Sequence, residues 1–283
     1  MSHVVKLENF NKKMQSKLQT RVLHIWNTAG VGSIIAKWMD KLYGTSSRVI
    51  MRKQFDKFGF TIVGEAWSCN SKVFTIKASW ISRKFDIIHV HAFDKIIPIL
   101  KMMNPKKPVV LHYHGADIRN RWREREKYWS KADVVLVSTP DLLEGSMTNV
   151  VYIPNPVDTD LFYPRYCFTP NTAFHISYFS DDLAIKYAEK YGLKLTIHDR
   201  EKAPIPYTQL PRILSKYEYY IDVKRDREGR LLRALSKTGL EALACMRKVI
   251  KWDGNILEGL PPEHKPENVV SKIWEIYRRL IDR

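Results

Sequence analysis

Short, nearly continuous apolar runs alternate with helical segments through the first half of this 283-residue chain. The apolar runs cover residues 22–26, 87–90, 109–113, 134–137 and 150–153. Strands that are apolar on both faces and are separated by helices are typical of a parallel sheet covered on both sides. The pattern therefore predicts a doubly wound α/β domain.

A second, shorter alternation follows the run Ile-Pro-Asn-Pro-Val-Asp at 153–158. This run predicts an irregular connector, because proline cannot donate to a sheet ladder. Strands are predicted after it at 174–179, 193–198, 219–223 and 248–252, with helices at 181–191, 208–216 and 238–246. A last amphipathic helix is predicted at 266–281. The chain therefore divides into residues 1–160, a smaller domain at 161–264, and a docking helix at 265–283.

The net charge is +17, and basic residues cluster in two runs, at 119–127 and 224–233. Such a charge permits nucleic acid, an anionic membrane surface or phosphorylated substrates as partners, or simply a solvated basic face. Cys69, Cys167 and Cys245 are odd in number and widely spaced, which favours a reducing compartment.

Hydropathy predicts a soluble or peripheral protein. No apolar run approaches the roughly 20 residues that span a bilayer, and the first residues are too polar for a secretory signal. Residues 5–18 predict a basic amphipathic helix that packs on its own domain or lies on a membrane.

Residues 236–250 have the layout of a phosphate and ribose site. Small residues open a helix there, so the backbone N–H groups of Thr238, Gly239 and Leu240 would face an anion with the positive end of the helix dipole. Glu241 could accept hydrogen bonds from ribose hydroxyls. The alternative is a capping glutamate on an ordinary surface helix.

Two further motifs follow predicted strand ends, where open α/β sheets bind ligands. Gly30 and Gly32 lie in the turn after the first strand, although tight-turn geometry alone would also explain them. His114 and Asp117 follow the central strand and would be placed to bind sugar hydroxyls.

Four histidines close together on neighbouring strands raise a zinc hypothesis. They are His89, His91, His112 and His114. No cysteine or further acid accompanies them, so we predict that no metal is bound there.

Six segments, taken in order, resemble the retaining group-1 glycosyltransferases of the GT-B class (GT4-like), which use nucleotide-sugar donors. They are the glycine turn at 29–33, DIIHVHAF at 86–93, HGAD at 114–117, ADVVLVST at 132–139, IPNPVDTDLF at 153–162 and GLEALAC at 239–245. The resemblance covers nearly the whole chain after residue 20. It implies two Rossmann-like doubly wound domains facing across a cleft and a final helix that packs back on the N-terminal domain. The few residues between Phe179 and Tyr219 predict a reduced C-terminal domain.

The resemblance also implies an activity, the transfer of a hexose from a UDP- or GDP-sugar with retention. Neither a cofactor nor a metal ion would be required, and the acceptor would be a glycan, lipid-linked or protein-linked. His114 and Glu241 would be the catalytic residues. Donor binding would involve Gly30, Gly32, Thr238, Gly239, Leu240 and Glu241, whereas His91, Asp117 and Arg119 would lie on the acceptor side.

The chain departs from the family pattern where phosphate should bind. The first glutamate of the family's pair is replaced by Arg233, two of its glycines by Pro156 and Met246, and the basic diphosphate clamp has no counterpart in 176–186. Other cations would have to meet the phosphate charge. The candidates are Lys186, Lys224, Arg225, Arg230, Arg233 and Lys237.

These departures leave a second hypothesis open, that of a catalytically impaired GT-B relative that binds a glycan, nucleotide or partner enzyme. The triplet Asp158-Thr159-Asp160 resembles a metal-binding motif of another glycosyltransferase fold, but it coincides with the linker motif and is interpreted as structural. We expect a cytoplasmic protein, with peripheral contact to an anionic membrane as a further expectation and nucleic acid as an unlikely partner.

Overall fold

The computed structural model of the protein describes residues 19–226 and 228–282, and it contains two β-sheets. The first sheet has seven parallel strands in the order β3-β2-β1-β4-β5-β6-β7. Its strands are β1 (Arg21–Ile25), β2 (Ser46–Arg52), β3 (Glu65–Trp67), β4 (Ile87–His91), β5 (Val109–Tyr113), β6 (Val134–Val137) and β7 (Val150–Tyr152). The predicted helix at 5–18 lies outside the described residues.

The second sheet has five strands in the order β12-β11-β10-β8-β9, of which only β12 is antiparallel to its neighbour. Its strands are β8 (Thr169–Ile176), β9 (Lys194–His198), β10 (Tyr217–Ile221), β11 (Lys248–Ile250) and β12 (Ile256–Leu257). The predicted α/β class is therefore observed, with the smaller sheet in the second half of the chain.

Eight α-helices of the described residues cover the faces of these sheets. They are α1 (Val31–Tyr43), α2 (Ser71–Ile81), α3 (Ile97–Met103), α4 (Trp122–Trp129), α5 (Asp181–Lys190), α6 (Leu210–Leu214), α7 (Lys237–Ala244) and α8 (Pro266–Ile281). None of the described helices is long and apolar enough to cross a membrane.

The last helix, α8, packs on the first sheet rather than on the second. Val269 and Ile273 share a buried core with Ile34 of α1. The Tyr277 hydroxyl lies 2.6 Å from Nδ1 of His89 on β4. Chain order and spatial order therefore differ, because the C-terminal segment crosses back to the N-terminal sheet.

A loop of the N-terminal half holds the two sheets together on one side. The ring of Phe60 lies 4.9 Å from that of Tyr207, and the Tyr207 backbone N–H donates to the Phe58 carbonyl at 2.7 Å. The linker adds an ion pair between Asp158 and Lys37 of α1 at 2.8 Å, which agrees with a structural role for the acidic triplet. These contacts turn the carboxyl ends of both sheets towards a common cleft.

Several predicted element bounds were wrong. Strand β2 was missed because its buried apolar run, Val49 to Met51, is only three residues long and is flanked by polar residues. Strand β3 was missed because its three side chains are exposed or only partly buried. Strand β8 begins five residues earlier than predicted, with exposed Thr169 and Pro170. The helix predicted at 208–216 is instead a 3₁₀ turn followed by the short helix α6.

Candidate functional site

Three adjoining cavities occupy the cleft between the two sheets. Their volumes are about 760, 550 and 230 Å³, and we call them the large, middle and small cavities. Tyr178 lines all three, and Lys224 lines the large and small ones. The lining residues follow the carboxyl ends of strands from both sheets, which is where doubly wound folds bind ligands.

The turn after β1 reaches the small cavity, although its glycines do not. Thr28, Ala29 and Val31 line this cavity. Gly30 has a left-handed backbone with φ of 79°, and a Cβ at Gly32 would lie 3.3 Å from the His91 ring. The two predicted donor-binding glycines therefore shape the turn and let α1 approach β4, while their neighbours face the ligand space.

His114 lines the small cavity and belongs to a hydrogen-bonded chain of histidines. Its Nδ1 lies 2.6 Å from Ser138 Oγ, and its Nε2 lies 3.1 Å from Nδ1 of His91. The fully buried His91 continues the chain to His24 at 3.1 Å. Burial lowers the pKa of His114 to about 3, so the ring is neutral at neutral pH. A sugar could bind a ring nitrogen of His114 only by displacing one of these partners.

His91 has no surface of its own in the cleft, since it is fully buried. It can act on a ligand only through His114. Its predicted acceptor-side role is thus reduced to holding His114 in place.

The histidines form two sets of three that could hold a metal ion. One set is His24, His89 and His91, and the other is His91, His112 and His114. One ring nitrogen from each member lies within 4.8 Å of the others in its set. Hydrogen bonds already occupy both nitrogens of His91, and neither set contains a carboxylate to offset a buried divalent charge. The donors fit a chain of neutral imidazoles better than a metal site.

Asp117 and Arg119 are bonded within the N-terminal half. The Asp117 carboxylate accepts the backbone N–H groups of His114 at 2.9 Å and Gly115 at 2.6 Å, which fixes the loop after β5. Arg119 lines the small and middle cavities and pairs with Asp141 at 2.7 Å. Only Arg119 of these two presents its side chain to the cleft cavities.

The amino end of α7 contributes two of its predicted residues to the cleft. Lys237 lines the small cavity and Thr238 the large one. The N–H groups of Gly239 and Leu240 are bonded to the hydroxyl and carbonyl oxygens of Ser236, so a ligand would have to compete for them. The side of Gly239 faces the sheet, where a Cβ would overlap the Asp222 carboxylate, and Leu240 is in the core.

Glu241 is buried, and its Oε1 accepts hydrogen bonds from the Tyr207 hydroxyl at 2.7 Å and Lys237 Nζ at 2.6 Å. It lines none of the three cavities. In this arrangement Glu241 fixes the positions of Lys237 and Tyr207. Its assignment to ribose stays a prediction, which would require one of these partners to move.

Two cations face the cleft without a carboxylate partner in the described part of the chain. Lys224 is half-buried, with Nζ 5.1 Å from the centroid of the Tyr178 ring, and burial lowers its pKa. Arg200 lines the large cavity and rests on Phe58, with Cζ 4.1 Å from the ring centroid. The Arg200 Nε is buried and has no hydrogen-bond partner among the described residues. Both side chains can therefore meet the charge of an anionic ligand.

Arg200 was not predicted from the sequence, because the diphosphate clamp was expected at residues 176–186, after β8. The available signal was the position of Arg200 directly after the predicted strand 193–198. Thr28 and Thr139 were missed as well, although each follows a strand end. Their Oγ1 atoms are buried without a partner in the described chain, and both residues line the small cavity.

The other predicted cations contribute less to the cleft. Arg230 lines the middle cavity and pairs with Asp226 at 2.7 Å and Glu228 at 3.1 Å. Arg225 pairs with Asp182 at 2.5 Å. The predicted cations Lys186 and Arg233 are exposed and line none of the three cavities.

Two solved structures with the same two-sheet arrangement resemble the chain. AviGT4, a glycosyltransferase involved in avilamycin A biosynthesis, is 12% identical, with a TM-score of 0.58 over 93% of this chain and 98% of that chain. The UDP-GlcNAc 2-epimerase from Neisseria meningitidis bound to UDP-GlcNAc is also 12% identical, with a TM-score of 0.50 over 93% of this chain and 94% of the epimerase. No protein-family model matches the chain, and no curated protein matches its sequence.

These likenesses define the class of the fold. The protein has the GT-B fold, two Rossmann-like domains across a cleft, and the predicted fold class is confirmed.

Proposed function

We propose that the protein is a cytoplasmic glycosyltransferase that moves a hexose from a UDP- or GDP-sugar to a glycan, lipid-linked or protein-linked acceptor, with retention and without a metal ion. The joined cavities at the facing strand ends, lined by Arg200, Lys224 and Lys237, carry this proposal. The GT-B fold is compatible with it, since one structure that shares the fold is described as a glycosyltransferase and another as bound to UDP-GlcNAc.

The large cavity suits the nucleoside. Aromatic rings of Tyr178 and Tyr220 line it and offer apolar surface to a base. The carboxylates of Asp199 and Glu201 line it too and can accept hydrogen bonds from ribose hydroxyls.

The diphosphate is then expected where the large and small cavities meet. Lys224 lines both cavities, and Lys237 and Thr238 stand at the amino end of α7. Cations and a helix amino end stabilise the negative charge that grows on a departing diphosphate. Arg200 adds a further positive charge beside the nucleoside.

The sugar fits the small cavity, between the diphosphate and the N-terminal strand ends. The unpartnered hydroxyls of Thr28 and Thr139 would bind sugar hydroxyls there, beside the neutral His114 ring. In the proposed step the bond from the anomeric carbon to the phosphate oxygen breaks and a bond to the acceptor oxygen forms. The acceptor's proton passes to the leaving phosphate on the same face of the sugar.

Thermal unfolding with nucleotides tests the proposal. We would measure the unfolding midpoint with UDP, GDP, ADP, CMP and dTDP, with and without magnesium, for wild type, Lys224→Ala and Lys194→Ala. Lys194 is exposed at the amino end of β9, whereas the cleft lies at the carboxyl ends of the strands. A ligand at about a hundredfold over its dissociation constant adds roughly 2.7 kcal/mol, which is a shift of a few degrees.

The expected result is a metal-independent shift with one diphosphate, kept in Lys194→Ala and reduced in Lys224→Ala. The matching nucleotide sugar should then release nucleoside diphosphate in the presence of an acceptor panel. The absence of any shift with every nucleotide would contradict the proposal.

A non-catalytic binding module is the second candidate, and one observation favours it. Glu241 and both ring nitrogens of His114 are already bonded inside the protein. Selective nucleotide binding without sugar transfer to any acceptor would support this reading. Turnover that falls in His114→Ala while nucleotide affinity holds would exclude it.

A further inference from the structure

One face of helix α2 is apolar and exposed, although the same helix buries its opposite face. Val73, Ile76 and Trp80 follow one another at helical spacing on the exposed face, and Ile76 and Trp80 are 66% and 56% exposed. Phe74 and Ala78 on the opposite face are fully buried. Helix α3 contacts α2, and its Met102 is 75% exposed. We call Val73, Ile76, Trp80 and Met102 the α2 face.

Basic side chains surround the α2 face, and the described chain offers them no acidic partner within salt-bridge distance. They are Lys72, Lys77, Arg83, Lys84 and Lys106, all exposed. Residues 66–107 hold eight Lys and Arg against two Asp, and these two acids, Asp86 and Asp94, are paired with Arg21 and Arg125. The region therefore presents an uncompensated positive charge.

A cavity of about 770 Å³ runs beside the α2 face. Trp67, Ile76 and Trp80 line it together with Lys77, and so does the ion pair of Arg48 with Glu65, whose charges offset each other. Apolar walls and a cation thus occur in the same groove, and the Lys84 ammonium lies 5.6 Å from the centroid of the Trp80 ring.

Exposed aliphatic and aromatic side chains within a ring of unpaired cations match the interface of an anionic lipid bilayer. Basic side chains are attracted to the negative leaflet, and tryptophan is favoured at the headgroup level. A nucleic acid would use the cations but would leave Ile76 and Met102 exposed to water. The combination therefore favours the bilayer over the nucleic acid.

We propose that the α2 face binds the surface of an anionic lipid bilayer. Ile76, Trp80 and Met102 enter the headgroup region, and the surrounding cations contact lipid phosphates and carboxylates. This inference does not depend on the proposed sugar transfer. The residues of the α2 face line none of the three cleft cavities, so its variants leave the proposed site intact.

Vesicle co-sedimentation tests the inference. The protein is mixed with vesicles of phosphatidylcholine alone or with added phosphatidylserine, at low and high salt. We expect binding to the anionic vesicles that weakens with salt and is at most weak on phosphatidylcholine. Failure to bind anionic vesicles, or equal binding to both compositions, would overturn the proposal.

Two double variants separate the apolar and basic parts of the surface. Ile76→Ser with Trp80→Ser should lower the partition coefficient about tenfold or more because the inserted apolar side chains are lost. Lys72→Gln with Lys77→Gln should lower it about tenfold or more, since each cation near the surface adds about fivefold. The matched control is Ile185→Ser with Lys190→Gln on the exposed side of α5, which should bind as wild type.

Unfolding midpoints of all variants are compared first, so that a folding defect is not taken for lost binding. If a variant melts early, the corresponding single substitution Ile76→Ser or Lys77→Gln replaces it. Wild-type vesicle binding by both double variants would overturn the proposal. So would binding to duplex DNA or RNA that only the lysine variant loses, which would identify a nucleic-acid surface instead.

Discussion

The two walls of the cleft differ in how their ionisable side chains are satisfied. On the N-terminal wall His114, Asp117 and Arg119 are bonded to Ser138 and His91, to the loop backbone, and to Asp141. On the C-terminal wall, Lys224 and Arg200 face the cavities without a carboxylate partner in the described chain. The N-terminal wall is therefore built to hold its shape, whereas the C-terminal wall keeps charge available for an anion.

Glu241 is the acid of the C-terminal wall that breaks this comparison, because it is already paired. We expect Glu241→Ala to lower the free energy of unfolding by about 3–5 kcal/mol, since it leaves the Lys237 charge and the Tyr207 hydroxyl without their buried partner. Urea unfolding measures this loss.

The control for Glu241 is Glu258→Ala, which removes an exposed acid that lies 3.9 Å from Lys248 and should cost little. If Glu241→Ala unfolded like wild type and yet lost nucleotide binding, Glu241 would be a ribose ligand and not a structural acid.

The histidines of the N-terminal wall give the next effect, a loss of stability in acid. Burial lowers the pKa of His24 and His114 to about 3, whereas an unfolded histidine titrates near 6.5. In that window the unfolded chain binds protons that the folded protein excludes, so the free energy of unfolding falls as the pH drops from about 6.5 towards 3. At pH 5 each of these histidines should account for a loss of about 2 kcal/mol.

Urea unfolding at pH 7 and pH 5 checks this dependence, and His24→Gln should make it shallower. Equal stability at the two pH values would show that the histidine chain accepts protons in the folded state.

On the C-terminal wall, Lys224→Ala should weaken binding of a nucleoside diphosphate. A charged hydrogen bond contributes about 1.5–3 kcal/mol, which corresponds to a loss of about 10- to 100-fold in affinity. Calorimetric titration measures this change with Lys194→Ala as the matched lysine control. Unchanged affinity in Lys224→Ala would show that the diphosphate does not bind at the junction of the large and small cavities.

The smallest effect is expected at Arg233, which is exposed and lines none of the three cavities. Arg233→Ala should change the free energy of unfolding by less than about 0.5 kcal/mol and leave nucleotide affinity within a factor of about two. A large loss of affinity would show that the loop before α7 closes on the ligand.

The sequence predicted the fold well where burial on both faces makes a strand continuously apolar, as in β4, β5 and β6. It failed at β2, whose apolar run is only three residues long, and at the short, largely exposed edge strand β3. Met246 illustrates a different limit. Its backbone φ of 60° is a left-handed conformation that favours glycine, yet the bare sequence shows only a methionine.

The candidate site was predicted less completely, because strand ends locate a site but do not orient its side chains. Gly239, whose ligand role stays a prediction, also makes room for Asp222, a contact 17 residues away in the chain that only the tertiary structure reveals. Arg200 follows the carboxyl end of β9, where open α/β sheets bind ligands. It was missed because the resemblance placed the diphosphate clamp in the loop after β8.

Calorimetric titration of the selected nucleoside diphosphate into matched variants of both walls tests the central claim most directly. The claim predicts at least about tenfold lower affinity for Lys224→Ala and Arg200→Ala, and less than about threefold change for His114→Ala and Arg119→Ala. The opposite ranking, with the losses on the N-terminal wall, would contradict the account.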